Sequence, residues 1–457
     1  MSFLRTHLRW GVVALLFFTA LLNNLDRMVL SVLAPTLKES LSFGDVEYSY
    51  VVSAFLAAYA LGYTFCGKVL DRVGVKLGMM GALVFWSVAA MGHAAAVGWL
   101  SLAAFRFLLG LGESFNSPGG VKAISEWIPR RERGLCMAVF SNGNVLGSII
   151  APPLVTFLLL HLGWRWAFGI TGGLGLVLWA VWRHVYHSPD NHPRLTEEER
   201  AVIEADRQAG SDKSVASPMV SQPADSHTSG KRHSCRFIQE AAPSGKRHSC
   251  RFKGDAPSIF SLLRQPKCAG FFAARLLTDP IVYFFTFWLF SYLKEARHFS
   301  DMMIAAVGWI PFLASDIGGP GGGALSDWLV RRGWQPRRAR LALMLLAACA
   351  MPVSIMAVLT PNAWLSIACI ALILGSQSCW MANQLTLISE SVPRTHAASL
   401  LALSALGGSI GGIAANLLAG RAIHAAGYVP VFCALGFCHI TAFVVLFITG
   451  KKGVSHE

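Results

Sequence analysis

Long apolar stretches recur along this 457-residue chain, and they restrict its fold more than any other feature. Each approaches the ~20 residues that a helix needs to cross the hydrocarbon core of a bilayer. Hydrophobic residues make up 54% of the chain and charged residues only 14%, too few to cover the surface of a soluble protein. We therefore expect an all-α membrane protein. The predicted transmembrane helices, about twelve, are residues 10–37, 48–69, 77–97, 98–121, 135–160, 166–186, 268–293, 302–326, 340–360, 364–388, 398–420 and 429–449.

The formal net charge of +14 belongs to short loops and does not indicate a nucleic-acid partner. The polar stretch 187–257 is nearly balanced, with 11 Lys and Arg against 10 Asp and Glu. Basic clusters follow predicted spans 2, 4 and 8, whereas the loops after spans 3 and 9 carry no charged residue. By the positive-inside rule, the basic loops and both termini are cytoplasmic. The chain contains no Asn-x-Ser/Thr sequon, which favours a bacterial inner membrane.

The two halves of the chain contain similar motifs. GKVLDRVGVK (67–76) and GALSDWLVRRG (323–333) both place Gly four residues before Asp, and ISEWIPRRERG (124–134) is echoed by ISESVPRTHAA (388–398). The paired motifs are separated by 256 and 264 residues, and a change in loop length accounts for the difference between the two separations. Two six-helix bundles in the same orientation, joined by a polar linker, are typical of secondary transporters with parallel repeats. The predicted domains are an N-terminal bundle (1–186), a cytoplasmic, largely disordered linker (187–257) and a C-terminal bundle (258–457).

The linker contains one predicted helix and one duplicated tract. LTEEER (195–200) predicts a short helix capped by its threonine. SGKRHSCRF occurs at 229–237 and again at 244–252. A low-complexity duplication explains the tract most simply, and a basic tether for anionic lipid is a second interpretation. The third is a metal site, but the His-x-Cys spacing differs from the usual Cys-x-x-Cys, so we expect no metal. The four residues that would form it are His233, Cys235, His248 and Cys250.

Several motifs resemble those of one transporter family. The 67–76 loop resembles the loop signature of the major facilitator superfamily, and RFLLGLG (106–112) resembles its fourth-helix motif. NNLDRMVLSVLAP (23–35), the segment 106–134 and APPL (151–154) resemble the anion:cation symporter branch. RLLTDP with FWLFSYL (within 275–293) and WIPFLASDIGG (309–319) are similar to its hexuronate and sugar-acid transporters. Span 5 lacks the Gly-x-x-x-Gly-Pro pattern of the antiporters, which favours symport or facilitation.

Ionisable residues inside the predicted spans are the candidate functional groups, because a charge in the membrane is costly and normally faces a cavity or a partner. Arg27 is a permanent cation that could bind an anion. Asp26 and Glu113 can each be neutralised by a proton, and the resemblance implies that these acids couple transport to protons. A supporting charge network, which could equally be purely structural pairing, comprises Arg106, Arg275, Asp279 and Asp316.

Neutral side chains complete the predicted binding site. Tyr59 matches a family position that contacts substrate, although it could simply be an interfacial aromatic residue. Asn144, Asn383 and Gln384 could bind hydroxyl groups or form interhelical hydrogen bonds. Trp288 could stack on a sugar ring, but we favour a lipid-facing position for it. The resemblance also implies a conformational latch, remote from substrate, made of Gly67, Asp71, Arg72, Gly74 and Asp327.

The sequence thus predicts a secondary active transporter, a proton-coupled symporter of a small organic anion such as a hexuronate or aldonate. The alternatives are a transporter-like receptor for an organic anion and a symporter of a non-sugar carboxylate. No nucleophile–base, metal or nucleotide motif is present, so we expect no enzyme activity. We expect the proton as coupling ion, no other cofactor, a small anion and the lipid bilayer as partners, no nucleic acid, and a monomer.

Overall fold

The computed structural model describes residues 8–129, 131–192, 195–197, 199–204, 263–391 and 394–452. Nearly all of these residues are helical. The helices of the first half are α1 (Leu8–Ser40), α2 (Asp45–Gly92), α3 (Trp99–Glu113), α4 (Asn116–Trp127), α5 (Arg133–Leu162) and α6 (Trp164–Val185). Those of the second half are α7 (Pro266–Ser291), α8 (Asp301–Val307), α9 (Ile310–Arg331), α10 (Pro336–Ala350), α11 (Val353–Leu359), α12 (Ala363–Ser391), α13 (Arg394–Ala426) and α14 (Val429–Lys452). A π-helical turn, Tyr292–Ala296, continues α7.

The predicted all-α architecture of about twelve transmembrane helices is confirmed. Within the described residues, nine helical stretches are long and apolar enough to cross a membrane. One of them, Asp45–Ala95, holds two predicted spans, and Gly74 interrupts its helix between them with φ 79° and ψ 163°. This positive φ is readily adopted only by glycine. The other two predicted spans correspond to α3 with α4 and to α6.

The predicted span 98–121 is divided into two helices. The structure has two helices there, and α3 ends at Glu113 before α4 begins at Asn116. Pro118 explains the break, because it lacks an N–H for the carbonyl of Ser114 and its ring would clash with that carbonyl in a regular helix. The interruption leaves Glu113 at the end of a helix, where its side chain is fully buried.

The two halves repeat the same packing. In the first half α1 packs against α5 and α2 against α3; in the second, α7 packs against α13 and α9 against α12. Glycines allow close approach: a Cβ at Gly143 of α5 would lie 2.3 Å from the carbonyl oxygen of Phe17. The halves meet where α1 contacts α7, α2 contacts α13, and α5 contacts α8 and α9. The centre of the molecule therefore lies where the two bundles face each other.

The start of the linker packs against the first half. The hydroxyl of Thr196 accepts a hydrogen bond of 3.3 Å from the backbone N–H of Glu199, which confirms the predicted cap. The carboxylate of Glu199 lies 3.5 Å from Arg9 at the start of α1. Both copies of SGKRHSCRF, with the four His and Cys residues considered above, lie in 205–262, outside the described residues.

Candidate functional site

Asp26 and Arg27, adjacent in the middle of α1, point in different directions. The side chain of Arg27 is 23% exposed, and its Nη2 lies 3.1 Å from Oε2 of the fully buried Glu113. Asp26 is 2% exposed and points into the first half. Helical geometry separates neighbouring side chains by about 100°. One helix therefore places a cation beside a cavity and an acid inside the bundle.

Arg106 of α3 binds the backbone of α1. Its Nη2 donates to the carbonyl oxygen of Arg27 at 2.7 Å, and its Nη1 donates to that of Asp26 at 3.4 Å. The guanidinium is fully buried, with its Cζ 5.0 Å from the ring centroid of Phe55. These bonds fix α3 against α1 and so hold Glu113 opposite Arg27. The role of Arg106 in a supporting charge network stays a prediction.

Asp26 has an unusual environment for a carboxyl group. Among the described residues, neither of its oxygens makes a hydrogen bond within ordinary limits, although the hydroxyl of Thr171 lies nearby. Arg106 is close enough to attract it electrostatically, but its guanidinium donates to backbone carbonyls. A buried carboxylate without partners is costly.

A cavity of about 100 Å³ lies between the two halves, beside Arg27. The Cζ of Arg27 is 5.0 Å from the ring centroid of Tyr59, and the Tyr59 hydroxyl is 3.3 Å from that of Tyr63. The first half contributes Arg27, Phe55, Leu56, Tyr59 and Ala60 to its lining. The second half contributes Val282, Tyr283, Thr286, Phe287 and Ser409. The site thus combines a guanidinium, aromatic faces and several hydroxyl groups.

The sequence analysis missed the hydroxyl groups of the second half, Tyr283, Thr286 and Ser409. They lie on α7 and α13, and their position opposite Arg27 follows only from the packing of the two halves.

Two of the predicted neutral groups, Asn383 and Gln384, form hydrogen bonds between or within helices. Asn383 is 1% exposed and donates to the carbonyl oxygens of Cys379 at 2.9 Å and Gly322 at 3.3 Å. Gln384 is fully buried; it accepts from Trp380 at 2.8 Å and donates to the carbonyl oxygen of Phe271 at 3.5 Å. These contacts correspond to the structural alternative considered for both residues.

Trp288 and Asn144 lie elsewhere than the cavity lining. Trp288 is fully buried, so the lipid-facing position favoured for it is wrong. Its Nε1 donates to Oδ1 of Asn416 at 2.8 Å, and its ring meets that of Tyr48 edge to face. Asn144 is exposed on α5, and its backbone carbonyl accepts a hydrogen bond of 2.8 Å from Asn24. Among the five predicted neutral candidates, Tyr59 is the one in the cavity lining.

The remaining charges of the predicted network lie in the second half. Arg275 and Asp279, one turn apart on α7, form an ion pair with 2.7 Å between Nη2 and Oδ2. Asp316 on α9 is half-buried, and within the described part of the chain it has no ion pair or hydrogen bond from its side chain. Neither group contacts Arg27 or Glu113 directly.

The predicted latch residues lie at the loops, away from the cavity. Asp71 forms an ion pair with Lys122, with 2.6 Å between Oδ1 and Nζ. Asp327 forms one with Arg340, with 2.6 Å between Oδ1 and Nη1, so each aspartate is bound within its own half. Arg72 and Gly67 are exposed, and Gly74 supplies the non-helical turn. The two halves therefore use their repeated aspartates in the same way.

Contacts between the halves occur toward the helix ends opposite the basic loops. Lys38 at the end of α1 lies 2.9 Å from Glu295, which follows α7. The hydroxyl of Tyr48 donates to the carbonyl oxygen of Phe287 at 2.7 Å. Asn416 of α13 donates to the carbonyl oxygen of Ser49 at 2.8 Å. These bonds close the cavity on one side of the molecule.

A helical membrane protein with two repeated bundles and a charged cavity between them has the architecture of a secondary transporter. The family model described as Major Facilitator Superfamily matches residues 16–416. This chain belongs to the major facilitator superfamily. It is a multi-pass membrane transporter and not an enzyme.

Curated relatives of the chain are sugar-acid transporters. A galacturonate transporter of Dickeya chrysanthemi is 30% identical over 315 residues, which cover 68% of this chain and 79% of that protein. The hexuronate transporter of Escherichia coli K12 is 30% identical over 68% of this chain and 63% of its own length. The "probable galactarate/D-glucarate transporter GudP" of Bacillus subtilis 168 is 28% identical over 93% of this chain and 87% of its own.

Solved structures share the fold. The E. coli xylose transporter XylE in its inward open conformation aligns with a TM-score of 0.69 and 12% identity, over 96% of this chain and 95% of that one. A bacterial homologue of the human lysosomal transporter Spinster aligns with a TM-score of 0.67 and 17% identity, over 97% and 96%. At these identities the similarity concerns the fold alone.

Proposed function

We propose that this chain is a proton-coupled symporter of a small sugar acid, a hexuronate or aldonate, and that it works by alternating access. The observation that carries this proposal is the Arg27–Glu113 ion pair at the wall of the cavity between the halves. Relatives named as galacturonate and hexuronate transporters support the choice of substrate. The coupling ion is the proton, and no other cofactor takes part.

Arg27 is the group that binds the substrate carboxylate. Its guanidinium keeps its charge and offers two parallel N–H donors that match a carboxylate. Its side chain is partly exposed beside the cavity, whereas Arg106 is fully buried and occupied by the backbone of α1. A negatively charged ligand in the cavity therefore reaches Arg27 more readily than Arg106.

Glu113 couples this binding to a proton. Glu113 forms an ion pair with Arg27, so an entering carboxylate competes with it for the same guanidinium. A displaced, buried glutamate is costly as an anion and becomes neutral by taking up a proton. Asp26, one residue from Arg27 and also buried, shares this task. Two such neighbouring acids titrate as a pair.

The second half supplies hydrogen bonds to the sugar hydroxyls. Tyr283, Thr286 and Ser409 face Arg27 and Tyr59 across the cavity. The cavity of about 100 Å³ is smaller than the ~300–1,000 Å³ typical of pockets for drug-sized ligands. Substrate entry therefore needs the halves to separate further on the side of the basic loops. The bonds of Lys38, Tyr48 and Asn416 support closure on the other side.

The topology follows from the same proposal. The protein lies in a bacterial inner membrane with both termini and the linker 187–257 in the cytoplasm. The repeated packing supports a division into bundles 1–186 and 258–457. The observed bonds then close the periplasmic side, and the site opens toward the cytoplasm. The protein works as a monomer.

The variant Glu113→Gln tests the coupling. Glutamine keeps the size and one hydrogen bond to Arg27 but cannot exchange a proton. Purified protein in proteoliposomes is assayed with galacturonate twice, once driven by a pH gradient and once as counterflow without a gradient. We expect loss of gradient-driven accumulation and retention of counterflow. Glu39→Gln, which changes an exposed acid at the end of α1, is the matched control and should keep both activities.

Accumulation at the wild-type level in Glu113→Gln would contradict the coupling role. A sugar-acid receptor would bind galacturonate without any counterflow in the wild type. A transporter of non-sugar carboxylates would show counterflow with such an acid and none with galacturonate. Low expression of Glu113→Gln with intact coupling in the surviving protein would leave Glu113 a purely structural residue and overturn the assignment.

A further inference from the structure

A second cavity, of about 560 Å³, lies at the end of the second half that carries the basic loop. It is formed by the start of α7, the start of α10 and the end of α12. Its volume falls within the ~300–1,000 Å³ typical of ligand pockets. It shares no lining residue with the cavity beside Arg27, so the proposed transport leaves it without a role. The residues that line it are Lys267, Gln335, Pro336, Arg337, Leu387, Glu390 and Ser391.

Two cations of this lining have N–H donors left for a ligand. Nζ of Lys267 donates to the carbonyl oxygen of Ser391 at 3.1 Å, which uses one of the three donors of its ammonium group. Arg337 is exposed, and within the described residues its side chain has no ion pair or hydrogen bond. A guanidinium offers five N–H donors. Both side chains can therefore donate hydrogen bonds to an anion in the cavity.

The acid of the lining, Glu390, is bound to another arginine. Its Oε1 lies 3.3 Å from Nη2 of Arg340, and Nη1 of Arg340 lies 2.6 Å from Oδ1 of Asp327. The two acids therefore share the buried Arg340, and Lys267 and Arg337 remain without an acid partner in the described part of the chain. Three cations face two acids here, so an anion is the ligand of complementary charge.

Both cations lie where membrane-spanning stretches end. Lys267 is the second residue of the stretch Pro266–Ala296, and Arg337 is the second residue of Pro336–Leu359. A Cβ at Gly450, the last residue of the stretch Val429–Gly450, would lie 2.3 Å from Nη2 of Arg337, so the guanidinium lies directly against the end of α14. Basic side chains at the ends of spanning helices lie at the level of the lipid headgroups.

The cavity lies beside the outer helices of the second half. α10 packs against α9, α12 and α14, and α14 packs against α7, α10, α11 and α13, all helices of the same half. Leu345 of α10 and Val444 of α14 are exposed, as expected for side chains that face hydrocarbon. Steps of four residues lead from Arg337 through Leu341 to Leu345. One face of α10 therefore runs from the cavity to an apolar surface.

We propose that Lys267 and Arg337 bind the phosphate of an anionic phospholipid, whose acyl chains lie along the exposed apolar faces of α10 and α14. Charged N–H donors form strong hydrogen bonds with phosphate oxygens. Basic pockets between transmembrane helices are typical sites for anionic headgroups. A free phosphate ion would use the same donors but not the apolar surface that adjoins them, so the lipid fits the whole site.

The test measures lipid binding to the full-length protein in detergent by native mass spectrometry. The protein is titrated with phosphatidylglycerol, which is anionic, and with phosphatidylcholine, which has no net charge. The wild type should bind phosphatidylglycerol more tightly. In Lys267→Gln/Arg337→Gln we expect its affinity to fall at least about tenfold, because two basic contacts are lost, and the affinity for phosphatidylcholine to stay unchanged. Arg331→Gln/Arg338→Gln removes two exposed charges near the same loop but outside the lining, and should bind both lipids as the wild type does.

The single variant Arg337→Gln keeps the bond between Lys267 and Ser391, so it tests the site even where the double variant folds poorly. We expect it to weaken phosphatidylglycerol binding about fivefold. Unchanged binding in Arg337→Gln overturns the proposal, and so does an equal loss in Arg331→Gln/Arg338→Gln or equal affinity of the wild type for both lipids. Inorganic phosphate is added separately in a thermal unfolding assay. A rise in Tm that disappears in Arg337→Gln would indicate a site for a soluble anion and would overturn the lipid assignment.

Discussion

Lys38 and Glu295 join the two halves of the molecule through an ion pair, with 2.9 Å between Nζ and Oε1. Lys38 also pairs with Asp45 of its own half, and the hydroxyl of Tyr428 donates to the other oxygen of Glu295 at 2.8 Å. The rings of Tyr48 and Trp288 lie beneath the ammonium group, at 5.4 and 5.3 Å. This cluster connects the end of α1 with the end of α7 and closes one side of the cavity.

Breaking this ion pair should open that side more often. Glu295→Gln keeps the shape of the side chain but removes its charge. With Thr286→Cys as a cavity reporter in a Cys-depleted background, we expect labelling from the periplasmic side to accelerate by up to about fivefold, because partly exposed ion pairs contribute at most about 1 kcal/mol. Labelling by a membrane-impermeant maleimide on intact cells measures this rate.

The neighbouring pair Lys294–Asp301 provides the control, since it has 2.6 Å between its charged atoms but lies entirely within the second half. Asp301→Asn should leave the labelling rate unchanged. Equal acceleration in both variants would mean that general destabilisation, and not an interaction between the halves, sets the rate.

Arg27 should need its guanidinium and not just its positive charge. In Arg27→Lys we expect galacturonate affinity to fall about tenfold, which is ~1.4 kcal/mol, because an ammonium cannot donate two parallel hydrogen bonds to a carboxylate. Calorimetric titration of the purified variant measures the Kd. The control is Arg165→Lys, whose guanidinium stacks on Trp164 outside the cavity. Wild-type affinity in Arg27→Lys would remove Arg27 from the binding site.

The sequence predicted the fold well because its signals are local. Apolar length identifies each crossing, and repeated motifs indicate the two halves, which pack in the same way. The break after Glu113 was also readable from Pro118, but the apolar pattern continues through it. The charged part of the site was predictable for a similar reason: Arg27, Glu113 and Arg106 stand out in apolar helices, and the structure brings them together.

The neutral part of the site was not predictable to the same degree. Trp288 and Gln384 looked like candidate ligands, but each finds its partner on another helix, which a single helix sequence cannot show. Thr286 and Ser409 were not predicted as site residues. Small hydroxyl residues are common in transmembrane helices, and their side chains usually form hydrogen bonds with the backbone of their own helix. Only the arrangement of the halves reveals which hydroxyls face Arg27.

The close contact of α5 with α1 should depend on Gly143. A Cβ at this position would lie 2.3 Å from the carbonyl oxygen of Phe17, a backbone atom that cannot move aside alone. We expect Gly143→Ala to destabilise the protein by about 1–3 kcal/mol, as overpacking does elsewhere. Thermal unfolding in detergent measures the change in Tm. Gly81→Ala is the control, because a Cβ there meets nothing within 4 Å, and it should unfold at the wild-type temperature or above.

The orientation in the membrane can be tested with two loop residues on opposite sides. Asn362 follows α11, in a loop free of charge, and Gln335 precedes α10, in the basic loop after α9. Both are exposed. If positive charge sets the orientation, Asn362→Cys should react with an impermeant maleimide on intact cells and Gln335→Cys only after the cells are opened. The opposite pattern would invert the topology. It would also place the Lys38–Glu295 contact on the cytoplasmic side, so that the cavity would open to the periplasm.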